Sequence, residues 1–253
     1  MLFGAVAFLL IISGTACHKT NTTATGTFRF HLHSNIDTNE IADSSFLYRD
    51  AMGRHFSLNI PQFYISGVTL VNANGTNYTV PNVYILKTLD SEEYLIGTAP
   101  VGTYTSVIFN VGLDAAANTG QPSGYTAGSP LAQSSMWFGN TTKGYMFMKL
   151  QGLADTTALQ TGMNPVPFSY EIGSAANLKQ VTMPVRGSGS YSSYTPYILT
   201  AGSTQYIHMI CDYGKLLSVV NFSTQDSTDT YNINPTLATT IANNIPAMFK
   251  YEQ

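Results

Sequence analysis

Little of this chain is charged: Asp, Glu, Lys and Arg make up 10% of its 253 residues, and the formal net charge is −3. No basic run occurs, so the electrostatic footprint that a nucleic-acid partner requires is missing and none is expected. Cysteine is nearly absent too. Cys17 and Cys211 are the only two, too few for a disulfide framework. The motifs of common chemistries are also lacking: there is no Gly-x-Ser-x-Gly elbow, His-Glu-x-x-His, Cys-x-x-Cys or Asp-x-Asp-x-Asp-Gly loop. The one close carboxylate pair, Glu92-Glu93, is adjacent in sequence and would face opposite sides of a strand. Paired acid–base work at a glycosidic bond therefore has no visible site, and a non-enzymatic protein is expected.

What the chain does have is aromatic residues, at 12%, with 16 tyrosines among many Thr, Ser and Asn. That profile favours strands joined by polar turns over long solvated helices. Period-two alternation marks strands near 28–33, 63–71, 78–86, 104–111, 144–151, 168–172 and 204–211. Val181–Val185 reads as a further strand. Pro61 is expected to separate two strand segments, and Asn74-Gly75 to turn a hairpin. Asp114–Asn118 opens a long Gly- and Pro-containing loop that delivers the chain to Met136-Trp137. Asn234-Pro235 is a cap and first-turn proline for a helix to about Asn243. The expected fold is mainly β: an antiparallel two-sheet β-sandwich-like domain with long loops and a short C-terminal helix.

The first dozen residues, Leu2 to Ser13, form an apolar run too short to span a bilayer, and small residues then lead to Cys17. We read residues 1–16 as a lipoprotein-type signal peptide, 17–26 as a polar linker and 27–253 as the β domain. Cys17 would be acylated, and the membrane becomes a partner through that anchor, in the bacterial cell envelope. The other reading is an ordinary secretory signal.

Three histidines fall on strand faces. Phe28, Phe30 and Leu32 share one face of the first strand while Arg29, His31 and His33 share the other. Imidazoles at i and i+2 on one face can converge on a metal ion; the other reading is that both lie on a solvated sheet face. His208 lies opposite Ile207, Met209 and Cys211, and Cys211 reads as a buried thiol. His55 reads as a surface residue. Met136, Met146 and Met148 offer soft donors suited to Cu(I), or else fill the core.

The stretch from Met136 to Gly152 holds the only tryptophan, Trp137, and ends Gly144-Tyr145-Met146-Phe147-Met148-Lys149-Leu150-Gln151-Gly152. It resembles the Trp then Gly-Tyr-x-Phe-x-Lys-Leu-Glu-Gly signature of the MbnP-like family. Phe63–Leu70, Gly102–Tyr104 with Phe109–Asp114 and Asn118, and Ile241–Phe249 resemble further family segments in the same order. The resemblance implies a β-rich periplasmic or surface protein that binds copper through a tryptophan-derived group and histidines. Two positions depart from the pattern: the family's Trp-x-Trp is here the single Trp137, and its His before Ile-Gly-Gly is Glu171. The site the resemblance implies is a histidine of the His31/His33 strand with His208, near Met136-Trp137. Such a site binds through neutral imidazole, so binding should weaken below the ordinary imidazole pKa of about 6.5. The alternative is a structural or ligand-interaction β module of the envelope that holds no metal.

Overall fold

The computed structural model describes residues 23–41, 48–50, 52–157, 161–163, 165–183 and 196–252. Cys17, its leader and the run from Gly187 to Ser193 lie outside them. In chain order the strands are β1 (Thr25–Ile36), β2 (Asn39–Glu40), β3 (Tyr48–Arg49), β4 (His55–Asn72), β5 (Asn77–Thr79), β6 (Tyr84–Lys87), β7 (Glu93–Pro100) and β8 (Gly102–Val111). Helix α1 (Ala115–Asn118) precedes β9 (Met146–Asp155), β10 (Pro165–Gly173), β11 (Lys179–Thr182), β12 (Tyr197–Leu199) and β13 (Thr204–Asp212). Then follow α2 (Tyr213–Leu217), β14 (Ser227–Asp229), α3 (Pro235–Asn244) and β15 (Phe249–Tyr251).

Two sheets result. The first has the order β15-β13-β1-β2, with β7 also paired to β1. The second has the order β11-β8-β4-β9-β10-β14, with β12 on β8 and β3, β5 and β6 on β4. Phe28, Phe30 and Leu32 of β1 and Ile207 and Met209 of β13 face Phe63, Ile65, Phe109, Met148, Leu150 and Tyr170 of the second sheet, and all are buried. Strand alternation thus turns one face of each sheet into a shared core, as a sandwich requires. Hydrophobic burial across that layer, at about 25 cal/mol per Å² of apolar surface, is the dominant favourable term.

The mainly β, two-sheet expectation holds, with differences in detail. The sheets are mixed: β1 runs parallel to β13, and β10 parallel to β14. Pro61 does not divide a strand. It sits within the 18-residue β4, just after a register shift between Leu58 and Ile60, and such irregularities tolerate a residue with no N–H to donate. The Asn74-Gly75 turn does join β4 to β5, with Val71 opposite Asn77. Strand β7 was not expected. Gly97, at φ +139°, and Pro100 break its pattern, and β1 accommodates it through a register shift at Phe28/Arg29. Gly152 of β9 passes so close to the Ser57 carbonyl of β4 that a side chain there would collide with backbone. Helix α3 begins as expected, capped by Asn234, whose Oδ1 accepts from Leu237 N at 3.3 Å.

Candidate metal centre

The alternation that buries Phe28, Phe30 and Leu32 leaves Arg29, His31 and His33 on the outer face of the first sheet. On β13 the same rule buries Ile207, Met209 and Cys211 and turns His208 outward. Parallel pairing sets His31 directly beside His208. Their Nδ1 atoms are 3.1 Å apart, and their rings lie edge to face, as do those of His31 and His33. The two strand positions seen in the sequence and the distant third therefore meet.

Two carboxylates complete the cluster. Glu92 reaches both β1 histidines, with Oε1 3.1 Å from His33 Nδ1 and Oε2 3.4 Å from His31 Nε2. Glu252 spans the other pair, with Oε1 3.3 Å from His33 Nε2 and Oε2 3.1 Å from His208 Nδ1. Each is tied by its own backbone to a histidine strand: Leu32 N donates to Glu92 O, and Glu252 N donates to His208 O. Ligand atoms of His31, His33 and Glu252 all lie within 4.8 Å of one another, as do those of His33, Glu40 and Glu92. The side chains of His31 and His33 are 22% exposed, so solvent reaches the cluster while the strands hold it.

Glu92 and Glu252 were not foreseen. Glu92 lies just before β7 rather than inside a strand, so the opposite-sides rule does not apply to Glu92-Glu93. Both reach the outer face, Glu93 through Arg29 at 3.4 Å. The loop carrying Glu92 is fixed from beneath by Lys87. This fully buried ammonium donates to Ser34 Oγ, Thr88 O and Ser91 O at 2.9, 2.7 and 3.1 Å. Burial lowers its pKa, against the opposing pull of Cys211 and nearby carboxylates. Tyr94 Oη donates to Ser91 O at 2.6 Å and tightens the same loop.

Met136 and Trp137 lie elsewhere. The loop after β8 folds into α1, capped by Asp114, and short 3₁₀ turns, and it closes over the outer face of the second sheet. There Tyr64 Oη donates to Pro130 O at 2.9 Å, Tyr145 Oη to Leu131 O at 2.6 Å and Tyr84 Oη to Asp114 Oδ2 at 2.9 Å. Met136 is fully buried under this loop with Tyr64, Leu131, Tyr145 and Phe147, and Trp137 packs against the same cluster. The Trp137 indole Nε1 is buried with no hydrogen-bond partner among the described residues. Glu171 of β10 alternates with the buried Tyr170 and Ile172 and so faces outward on this second sheet. The expected closeness of the histidines to Met136-Trp137 is therefore corrected: the sandwich core, sheets about 10 Å apart, separates them. Met148 fills the main core, whereas a register shift at Ile172/Gly173 turns Met146 into the cluster beneath the loop.

Three imidazoles with two or three carboxylates fit a first-row transition metal by donor type. Cys211 is no ligand, because burial pushes its thiol up to about 12 and its strand turns it inward.

Comparison with known proteins agrees with this fold. The family model for MbnP matches residues 25–235. Among solved structures, MbnP from Methylosinus trichosporium is similar at a TM-score of 0.58 and 14% identity, covering 83% of this chain and 82% of that one. No curated protein sequence matches.

Proposed function

Because the chain belongs to the MbnP family, we propose that it is a non-enzymatic metal-binding protein of the bacterial cell envelope. Copper is its metal, and His31, His33 and His208 form the centre. The observation that carries this reading is the convergence of five donors from separate parts of the chain on one sheet face. A merely solvated face has no need to bring His31 into ring contact with both His33 and His208, with Glu92 spanning His31 and His33 and Glu252 spanning His33 and His208. Copper itself rests on the resemblance of the Met136–Gly152 segment to a copper-binding family. The rigid strands supply positioning, and the ligands need little reorganisation to close on an ion. Glu92 and Glu252 hold the rings in orientation and can themselves ligate.

Metal analysis of protein purified from copper-supplemented medium tests the proposal. Copper should co-purify with the parent and with His55→Ala, and be lost from His31→Ala/His33→Ala. Equal copper in all three, or none in the parent, contradicts it. The membrane fraction of the same cells tests the anchor: the intact mass should carry acyl chains that Cys17→Ala lacks, and an unmodified soluble chain would refute lipidation.

A further inference from the structure

We infer that the centre is built for a divalent ion of borderline softness, oxidised copper or zinc, and not for cuprous copper. The inference rests on the metal-centre reading above and names the class of ion that centre takes.

Two observations carry it. The first is where the sulfur is. Cu(I) favours thiolate and thioether donors, whereas imidazole with carboxylate suits divalent zinc and copper. Every methionine among the described residues is placed away from the cluster. Met209, next to His208, points inward and is fully buried, as is Cys211 two residues further on. Met136, Met146, Met148, Met183 and Met248 are all buried in the cores. Met52 and Met163 are exposed, and they lie in the segments that lead into β4 and β10 of the second sheet. Among the described residues, no thioether is therefore available to a metal between His31, His33 and His208.

The second observation is charge. Glu92 and Glu252 bring two negative charges into contact with all three imidazoles, and Glu40 adds a third beside His33. A dication balances the two spanning carboxylates, whereas a monocation leaves a negative charge held at short range on a half-buried face. The main chain of each glutamate is fixed by a backbone hydrogen bond to a histidine strand, so both residues are held at this face. Two cations near this face, Arg29 and Lys250, are engaged by Glu93 and Asp212.

The full chain is titrated separately with Zn(II), with Cu(II) in air and with Cu(I) under reducing, oxygen-free conditions, each against a chromophoric chelator. Cu(II) and Zn(II) should bind the parent more tightly than Cu(I), with Cu(II) ahead of Zn(II) by the usual order of stability. Glu92→Gln/Glu252→Gln should weaken both divalent ions by at least about 10- to 100-fold and leave weak Cu(I) binding within about threefold, since only charge is removed. The electron paramagnetic resonance spectrum of the Cu(II)-loaded parent, which needs no variant, should show coupling to imidazole nitrogen. If Cu(I) binds most tightly, loses affinity in His31→Ala/His33→Ala and ignores the glutamine changes, the divalent inference falls while the metal centre stands. If no ion in either oxidation state responds to the histidine variant, both fall.

Discussion

The two outer faces of the sandwich arise from the same strand alternation and end with opposite chemistry. The face of the first sheet presents His31, His33 and His208 to Glu92 and Glu252 with solvent still within reach. The face of the second carries Tyr64, Tyr145, Phe147, Met136 and Met146 beneath a loop that takes up the tyrosine hydroxyls, and there the indole nitrogen of Trp137 is buried. Covering a face makes it a second core, in which methionine and tyrosine contribute packing. Leaving a face open while anchoring its polar side chains from the strands and from Lys87 makes it a binding surface. Residue type alone therefore does not say which donors are available; the loop over the second sheet decides it.

That contrast breaks most visibly in stability. Met136→Ala, which empties a fully buried position under the loop, should destabilise the fold by about 2–5 kcal/mol and leave metal affinity unchanged. The His31→Ala/His33→Ala variant should do the reverse, with chemical denaturation of the metal-free protein within roughly 1 kcal/mol of the parent. A metal-free histidine variant as unstable as Met136→Ala would make the cluster a packing element.

A smaller effect separates the faces by titration. Burial pushes the Tyr145 phenol up to about 12, and burial with a hydrogen bond to Asp114 does the same for Tyr84. Free phenols ionise near 10, so in this range the unfolded chain loses protons first. These tyrosines contribute stability fully below about pH 10 and lose it as pH rises from there towards 12. Tyr145→Phe should make the alkaline limb of the stability curve shallower while costing about 1 kcal/mol at neutral pH through the lost bond to Leu131. An unchanged alkaline limb would show that the second face does not titrate as a closed core.

The sequence carried the strands and the first ligands well, because alternation is local: Phe28, Phe30 and Leu32 against His31 and His33 follow from period two alone. His208 was legible as an outward residue on its strand, but its register against His31 was not. Parallel pairing of segments 177 residues apart is set by the global packing. Glu92 is not legible as a ligand because an adjacent pair faces opposite sides if it lies in a strand, whereas the strand starts one residue later, at Glu93. Glu252 follows the short β15, whose three residues carry too little pattern to mark a sheet edge. The Met136-Trp137 placement failed for a different reason. A long loop can close over either face, and its choice rests on the hydroxyls of Tyr64 in β4 and Tyr145 just before β9, which meet its carbonyls.

The central claim is that the open face of the first sheet, and not the closed face of the second, supplies the metal's ligands. X-ray absorption on the copper-loaded parent tests it most directly. The account predicts a first shell of nitrogen and oxygen alone, with the outer scattering of imidazole rings, and its loss in His31→Ala/His33→Ala. A sulfur shell, longer than the nitrogen shell by the roughly 0.2–0.3 Å that separates the two bond types at zinc, would contradict it and return the metal to the methionines.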